Sequence, residues 1–261
     1  MKRKTRNNII WSVSLIVAFG LFLVSNQWGM QKKEYNNLTV YWHSESVKND
    51  TIIDNLVKSI SVFFENKGFN LFETKQSIYL CKSDLEFCIK SITINKGVIG
   101  KNNCILKRLY IKSPDLEYGI VPASDSTLNS RPLSSVIAHE LMHSYQFNKL
   151  GFIAFYFAPK WKIEGMADFL ANTSSCKTKD ALPLYVKGES YNNTIKCNKD
   201  IWDGTFFYFL SRVRVDYLLS HKRISEDDFW NIKYDTDKLD EEIRGAIKRG
   251  DYVFDNFEFQ E

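Results

Sequence analysis

The sequence is poor in the residues that mark several common kinds of site. Its 261 residues include four histidines and five cysteines, and no two cysteines stand in a C-x-x-C arrangement. That absence argues against a structural zinc site. Nor is there a basic stripe with interleaved aromatics, so nucleic-acid binding is not expected despite a formal net charge of +4. The chain also lacks internal repeats, and its composition is that of one substantial globular domain or two small lobes.

The N-terminal region carries a long stretch without charge. Residues 9–24 are mostly apolar and the uncharged run extends to Gln31, close to the roughly 20 residues that span a bilayer. A basic cluster precedes this stretch, so the positive-inside rule places the N-terminus in the cytoplasm. The sequence therefore predicts a single-pass anchor in residues 1–30, which contacts the membrane through residues 9–28, with residues 31–261 outside the cytoplasm.

Two alternatives to the anchor are open. The apolar core is short enough for a cleaved signal peptide, which would leave a secreted or periplasmic protein, although no good A-x-A cleavage site follows it. A buried core helix is the other alternative, and its position at the extreme N-terminus behind basic residues disfavours it.

The cysteines could form disulfides if the chain leaves the cytoplasm, because an oxidising compartment permits them. Proximity in sequence favours the pairs Cys81–Cys88 and Cys176–Cys197 and leaves Cys104 free. Sequence alone cannot fix the connectivity. The alternative is that all five are reduced and buried.

The segment that begins at His139 carries the clearest chemical signal. It reads H-E-L-M-H, within a helix predicted from about Pro132 to Asn148. Because residues four apart share one face of a helix, His139 and His143 can direct two imidazole nitrogens at one metal ion. Glu140 lies beside them, where it can take a proton from a water molecule at that metal. The alternative is two surface histidines beside a carboxylate.

A second motif follows at Trp161–Asp168, which reads W-K-I-E-G-M-A-D. Pro159 marks a helix start, and the apolar residues recur with helical spacing. Glu164 and Asp168 are four residues apart, so both carboxylates face the same side. One can complete a metal site of two histidines and a carboxylate, and the other can accept the free N–H of a ligand histidine.

Together the two motifs resemble those of the gluzincin zinc metallopeptidases, and the W-x-x-E-G-x-A form is most similar to the peptidase MA-like family. The strong motifs cover residues 138–171, and a looser match in the order of elements runs over residues 38–219. The longer H-E-x-x-H-x-x-G-x-x-H pattern is absent, since Gln146 and Lys149 occupy its later positions. That absence argues against the metzincin branch.

The resemblance implies a role for each motif residue. One catalytic zinc ion would be bound by His139, His143 and Glu164. Glu140 would be the general base, and Asp168 would be the acid that orients a ligand histidine. The substrate would be a peptide or protein.

The elements around the motifs predict an α+β fold, in which a small mixed sheet with one helix precedes the active-site helix, the third-ligand helix and further helices. The predicted helices outside the motifs are Thr51–Asn66 and Trp202–Leu219. The predicted strands are Leu38–His43, Ser77–Cys81, Ser91–Ile94 and Ile105–Ile111. The resemblance implies that residues 105–113 form an edge strand beside the substrate, because extended peptides add to sheet edges.

This organisation divides the chain into four predicted regions. Residues 1–30 are the basic segment and anchor (or signal peptide), and residues 31–37 are a polar linker. Residues 38–221 form the metallopeptidase-like domain, within which residues 172–200 are polar and irregular. Residues 222–261 form a C-terminal extension with one or two small helices and an acidic tail.

Two further features leave alternatives open. The aromatic segment Gly151–Pro159 fits core packing between the two ligand helices, a hydrophobic wall beside the substrate, or a membrane-facing loop. Catalysis would also need a donor for the developing oxyanion. The candidates are Tyr191, Tyr208 and His221, and a structural role explains each of them as well.

The function expected from the sequence is a membrane-anchored, extracytoplasmic zinc metallopeptidase. The alternative is a zinc-binding interaction or assembly protein with a vestigial site. The sequence gives this alternative no positive support, because all motif residues are present. An intramembrane protease is disfavoured, since the first motif lies among charged and polar residues and one convincing span exists. The cleavage preference and the oligomeric state are not predicted.

Overall fold

The computed structural model describes residues 27, 29–46, 49–70, 75–94, 97–122, 130–173, 178–188 and 204–254. These residues contain both helices and strands, as the predicted α+β class requires. They group into two compact units. The first takes in the described residues of Met1–Val57 and Phe72–Leu133, and the second takes in those of Lys58–Leu71 and Ser134–Glu261.

A five-stranded mixed sheet dominates the first unit. Its strands are β1 Met30–Tyr35, β2 Leu38–His43, β3 Gln76–Leu80, β4 Gly100–Asn103 and β5 Arg108–Ile111. They lie in the order β1-β2-β3-β5-β4. The three inner strands pair in parallel, and β1 and β4 pair antiparallel at the two edges.

Burial along these strands follows their place in the sheet. The inner strands β3 and β5 bury most of their residues, as strands covered on both faces do. β1 reads MQKKEY and has no buried residue. Charged residues suit an edge strand because they discourage pairing with another chain.

Several predictions for this unit need correction. β1 occupies most of residues 31–37, for which the sequence predicts a linker. The predicted strand Ser91–Ile94 is wrong, because Ser91 ends a helix and Ile92 follows in a left-handed conformation with φ 53. The predicted edge strand within residues 105–113 is also wrong, because β5 lies inside the sheet and β4 forms the edge.

Two α-helices lie among the described residues up to Pro132, and the first of them runs from the first unit into the second at Lys58. The helix α1, Thr51–Asn66, has the bounds that its apolar spacing predicts. The helix α2, Asp84–Ser91, begins after Ser83, whose hydroxyl accepts a hydrogen bond from the backbone N–H of Glu86. The short strands β6 Ile120–Val121 and β7 Arg131–Pro132 pair antiparallel.

Helices build the second unit. They are α3 Leu133–Phe157, α4 Lys160–Leu170, α5 Thr178–Lys187, α6 Gly204–Asp216, α7 Glu226–Asn231 and α8 Thr236–Arg249, and a π-helical turn, Tyr217–His221, follows α6. The helix α5 lies within residues 172–200, which the sequence predicts to be irregular. The helices α7 and α8 are the small C-terminal helices that the sequence predicts.

The helix α3 is interrupted at Gly151, shortly after the end predicted near Asn148. The backbone there has φ 75 and ψ 167, outside the helical region. Beyond this break Phe152, Ile153, Tyr156 and Phe157 are exposed, with Phe157 at 85%. Core packing between the ligand helices therefore does not account for these four side chains.

The predicted transmembrane helix needs correction, both in the fold class and in the location. Among the described residues, none of the helices combines the length and the apolar composition that crossing a bilayer requires. The predicted span, residues 9–24, lies outside the described residues. The described residues show mixed helix and strand and do not support the predicted single-pass anchor.

The cysteines that the structure describes do not form disulfides. Cys81 is buried, and Cys88 and Cys104 are partly buried. The predicted disulfide between Cys81 and Cys88 is therefore wrong: Cys81 packs in an aromatic cluster of the first unit, and burial raises the pKa of its thiol. The predicted pair Cys176–Cys197 lies outside the described residues.

Candidate metal centre

Three side chains of the second unit converge on one point. His139 and His143 lie on α3 and Glu164 lies on α4. Their ligand atoms all lie within 4.8 Å of one another. The Oε2 atom of Glu164 is 3.5 Å from Nε2 of His139 and 3.7 Å from Nε2 of His143. Two imidazole nitrogens and a carboxylate oxygen in this arrangement could hold a metal ion.

The separations within this cluster match a set of metal ligands. A strong N–H···O hydrogen bond joins atoms about 2.7–3.2 Å apart, and both distances to Glu164 are longer, at 3.5 Å and 3.7 Å. Ligand atoms that each lie about 2.0–2.2 Å from a tetrahedral ion are roughly 3.3–3.6 Å from one another. Both distances to Glu164 are close to this range, so the residues present fit a small divalent cation.

Asp168 holds the second ring nitrogen of His139. The Nδ1 atom of His139 is 2.8 Å from Oδ1 of Asp168, whose side chain is 1% exposed. An ionised carboxylate can only accept a hydrogen bond, so His139 donates from Nδ1 and turns its Nε2 towards the cluster. The structure thus brings Asp168, predicted to orient a ligand histidine, into contact with that histidine.

Gln146 plays the corresponding part for His143. Its Oε1 is 2.9 Å from Nδ1 of His143, and its Nε2 donates to the carbonyl oxygen of Ile163 at 2.8 Å. Because the amide nitrogen is committed to that carbonyl, Oε1 accepts the N–H of His143, which leaves the Nε2 lone pair for a metal. The sequence analysis missed this role. The available signal was the position of Gln146, three residues after His143 on one helix.

Two buried side chains of α3 fasten it to α4. The hydroxyl of Ser135 donates to the carbonyl oxygen of Ala171 at 2.7 Å, and the amide of Gln146 donates to that of Ile163 at 2.8 Å. Both donors are buried, where a lost hydrogen bond leaves an unsatisfied polar group. The helix with two ligand residues and the helix with the third are therefore held together on both sides of the cluster.

Gly165 lets α4 approach α6 closely. A Cβ atom at Gly165 would collide with the carbonyl oxygen of Ser211 and would lie 2.8 Å from Cγ2 of Val215. These separations are well below van der Waals contact, so no other residue fits without moving a helix. Because Gly165 directly follows Glu164, this contact sets the position of the carboxylate.

The electrostatics of the cluster favour a cation. Burial opposes charge on His139, but the hydrogen bond to Asp168 and the interactions with Glu164 and Glu140 outweigh it and raise the pKa of His139 to about 10. Burial acts to raise the pKa of Glu164, and the nearby His139 and His143 hold it below its ordinary value. The negative potential that retains a proton on His139 would equally attract a metal ion.

The remaining predicted site residues have different surroundings. Glu140 is partly buried beside His139 on α3. Tyr191 lies outside the described residues. Tyr208 lies on α6, and His221 stacks on Tyr217 with ring centroids 5.0 Å apart. These surroundings assign no role at the cluster to Tyr208 or His221, so an oxyanion donor among the three stays a prediction.

Comparison with known proteins does not identify the chain. No protein-family model matches it, and no curated protein matches it. Its class is therefore defined by its own site, a partly buried cluster of two histidines and one glutamate that could hold a metal ion.

Proposed function

We propose that the chain is a zinc-dependent metallopeptidase of the gluzincin type. The observation that carries this proposal is the convergence of His139, His143 and Glu164 on one point, with Glu140 beside them on α3. Catalytic zinc sites take three protein ligands and keep a fourth position for water or substrate. The pairing of H-E-x-x-H with W-x-x-E-G-x-A-D supports a peptide bond as the group that is hydrolysed.

The donor set supports zinc among the common divalent ions. Magnesium and calcium prefer oxygen ligands, whereas two of the three donors here are imidazole nitrogens. The partners behind the rings add to this support. Asp168 and Gln146 fix both histidines in the tautomer that offers Nε2 to a metal.

Glu140 is the proposed general base. When bound, zinc would act as a Lewis acid that makes a water molecule acidic and polarises the scissile carbonyl. The carboxylate of Glu140 accepts a proton as the water oxygen attacks the carbonyl carbon. It then delivers that proton to the amide nitrogen as the C–N bond breaks. The products are a carboxylic acid and an amine, so atoms and charges balance.

The Glu140→Gln variant tests this function. The substitution removes the base and leaves the three metal ligands in place, so zinc content should equal that of the wild type. The rate of peptide cleavage should fall by about 10²–10⁴-fold, the contribution typical of general acid–base catalysis. Zinc content is measured by elemental analysis, and cleavage is measured by mass spectrometry of a digested peptide library.

Glu241→Gln is the matched control, because Glu241 is an exposed glutamate on α8. It should change neither zinc content nor cleavage. Cleavage by Glu140→Gln at the wild-type rate would contradict the role of Glu140. A wild-type protein that binds zinc but cleaves no member of the library would contradict the peptidase proposal itself.

A further inference from the structure

The short helix α7 is joined to both helices that carry the proposed metal ligands. Its first turn bonds to α3 beyond His143, and its last carbonyls bond to α4 just before Glu164. Both sets of contacts involve charged side chains. They lie within the second unit.

At the first end, acidic residues of α7 hold the side chains of α3. Oε2 of Glu226 accepts a hydrogen bond from the Tyr145 hydroxyl at 3.0 Å and lies 2.9 Å from the ammonium of Lys149. The same ammonium is 3.0 Å from Asp227. Burial opposes the charge of Lys149, but these carboxylates outweigh it and raise its pKa. One lysine is thus shared by two acids of the same helical turn.

At the second end, a buried lysine of α4 holds the carbonyls of α7. Lys162 is 2% exposed, and its ammonium donates to the carbonyl oxygens of Phe229, of Trp230 at 3.2 Å and of Ile232 at 2.8 Å. The last carbonyls of a helix have no partner within it, so the bonds to Phe229 and Trp230 satisfy groups of α7 that need a donor, and the third bond goes to Ile232, which directly follows the helix. The ammonium also lies 5.2 Å from the ring centre of Tyr234.

These contacts restrict how the two ligand helices can move. An ammonium that is buried without partners would lose more free energy than an ordinary hydrogen bond supplies, so Lys162 is held firmly at the end of α7. Lys162 stands two residues before Glu164, and the contacts of Tyr145 and Lys149 lie on the helix of His143. A change in the spacing of α3 and α4 would break bonds at one end of α7 or the other.

We propose that α7 braces the metal centre, with Lys162 and Lys149 as positioning residues that hold α3 and α4 at the spacing that ligand binding requires. This inference rests on the metal site of the proposed function and is independent of peptide cleavage. It predicts that loss of either lysine weakens metal binding by the folded protein. A purely structural contact would lower stability alone.

Three lysine-to-methionine variants test the brace. Lys162→Met and Lys149→Met each keep an unbranched side chain and remove the ammonium from one end of α7. Lys90→Met is the matched control, because Lys90 is also buried, at 7%, and pairs with Glu86 in the first unit. Zinc affinity is measured by competition with a chromophoric chelator, well below the unfolding midpoint of each variant. The visible spectrum of the cobalt form reports ligand geometry.

Lys162→Met should bind zinc about 10–100-fold more weakly, the range seen when partners that orient metal ligands are lost, and should shift the cobalt bands. Lys149→Met should show a smaller loss of zinc affinity, because the side chain of Lys149 is partly exposed. Lys90→Met should lower the unfolding midpoint and leave zinc affinity and the cobalt spectrum unchanged.

Wild-type zinc affinity and a wild-type cobalt spectrum in both brace variants would overturn the inference, whatever their unfolding midpoints. If Lys162→Met does not fold, Lys149→Met decides alone. A wild-type protein that binds neither metal would overturn the brace together with the metal centre. A wild-type protein that binds metal but cleaves no peptide would contradict only the proposed activity.

Discussion

Each unit contains a partly buried cluster in which a glutamate lies beside histidine, and the two clusters differ in what they can bind. In the first unit Glu86 meets His43, and in the second Glu164 meets His139 and His143. The side chains of the two glutamates are equally exposed, at 16%. Residue type and burial therefore do not distinguish a salt bridge from a metal site.

In the Glu86 cluster, hydrogen-bond donors surround the carboxylate. Its carboxylate is 2.9 Å from the backbone N–H of Lys82, 3.0 Å from the ammonium of Lys90 and 3.0 Å from Nε2 of His43. Burial acts to raise the pKa of Glu86, and these donors together hold it below its ordinary value. Each contact has the length of a direct hydrogen bond, so the cluster needs no further partner.

The Glu164 cluster is open because its donors point elsewhere. Both histidines give their Nδ1 hydrogens to outer partners, Asp168 and Gln146. Their Nε2 atoms then face a carboxylate oxygen at 3.5 Å and 3.7 Å. Acceptors that face one another in a buried site need a proton or a metal cation between them. The direction of hydrogen bonding therefore separates the two clusters.

Exchange of each glutamate for glutamine should separate the clusters most strongly. Glu164→Gln replaces an anionic ligand by a neutral amide, so zinc affinity should fall by more than about 100-fold, beyond the loss expected for an orienting partner. Glu86→Gln should leave zinc affinity unchanged and lower the free energy of unfolding by about 1–3 kcal/mol, since donors lose a charged acceptor. Chelator competition and chemical denaturation measure the two quantities.

The outcome that would break this comparison is equal zinc loss in both variants. It would mean that general destabilisation, and not the removal of a ligand, governs zinc retention. Unchanged zinc affinity in Glu164→Gln would remove Glu164 from the ligand set.

A smaller effect is expected from Asp168→Ala, which removes the acceptor behind His139 and keeps all three ligands. The ring of His139 loses the partner that fixes its tautomer, so zinc retention against a chelator should weaken by about 10–100-fold. The far-ultraviolet circular dichroism spectrum should show that the domain is still folded.

Asp240→Ala is the control for this prediction, since Asp240 is a buried acid that pairs with Arg214 at 2.6 Å in the same unit. It should lower stability without weakening zinc binding. If Asp168→Ala retains zinc as firmly as the wild type, Asp168 does not orient a ligand, and the match of α4 to the gluzincin pattern is in doubt.

The parts of the site that sequence could predict are those fixed within one helix. The spacing of His139 and His143 places them on one face, and Glu164 and Asp168 follow the same rule. Partners from another helix were not predictable in this way. The role of Gln146 depends on the carbonyl of Ile163, which only the folded structure brings within 2.8 Å.

The same distinction between local patterns and distant contacts applies to the fold. The bounds of α1 follow from its own apolar spacing. The strand β1 was not predicted because its charged sequence suits an edge only when β2 is already beside it. The Cys81–Cys88 pairing failed because nearness in sequence does not say which way two side chains point. Local periodicity therefore predicted single elements correctly. Contacts between residues that are distant in sequence could not be predicted in this way.

The smallest effect at the metal centre is expected from Gly165→Ala. The added methyl group would collide with the backbone of Ser211 on α6, so α4 must shift. Overpacking of this kind lowers the free energy of unfolding by about 1–3 kcal/mol. The shift carries Glu164 with it, so zinc affinity should fall, but by less than in Asp168→Ala because all ligands and their partners are kept. Thermal unfolding and chelator competition measure both.

Gly245→Ala supplies the contrast, because Gly245 lies in α8, where an added Cβ would meet only the movable end of the Arg249 side chain at 3.1 Å. Alanine favours a helix over glycine by up to about 1 kcal/mol, so this variant should be as stable as the wild type or more stable, with unchanged zinc affinity. Destabilisation of both variants by the same amount would mean that close packing of α4 on α6 is not what requires glycine at position 165.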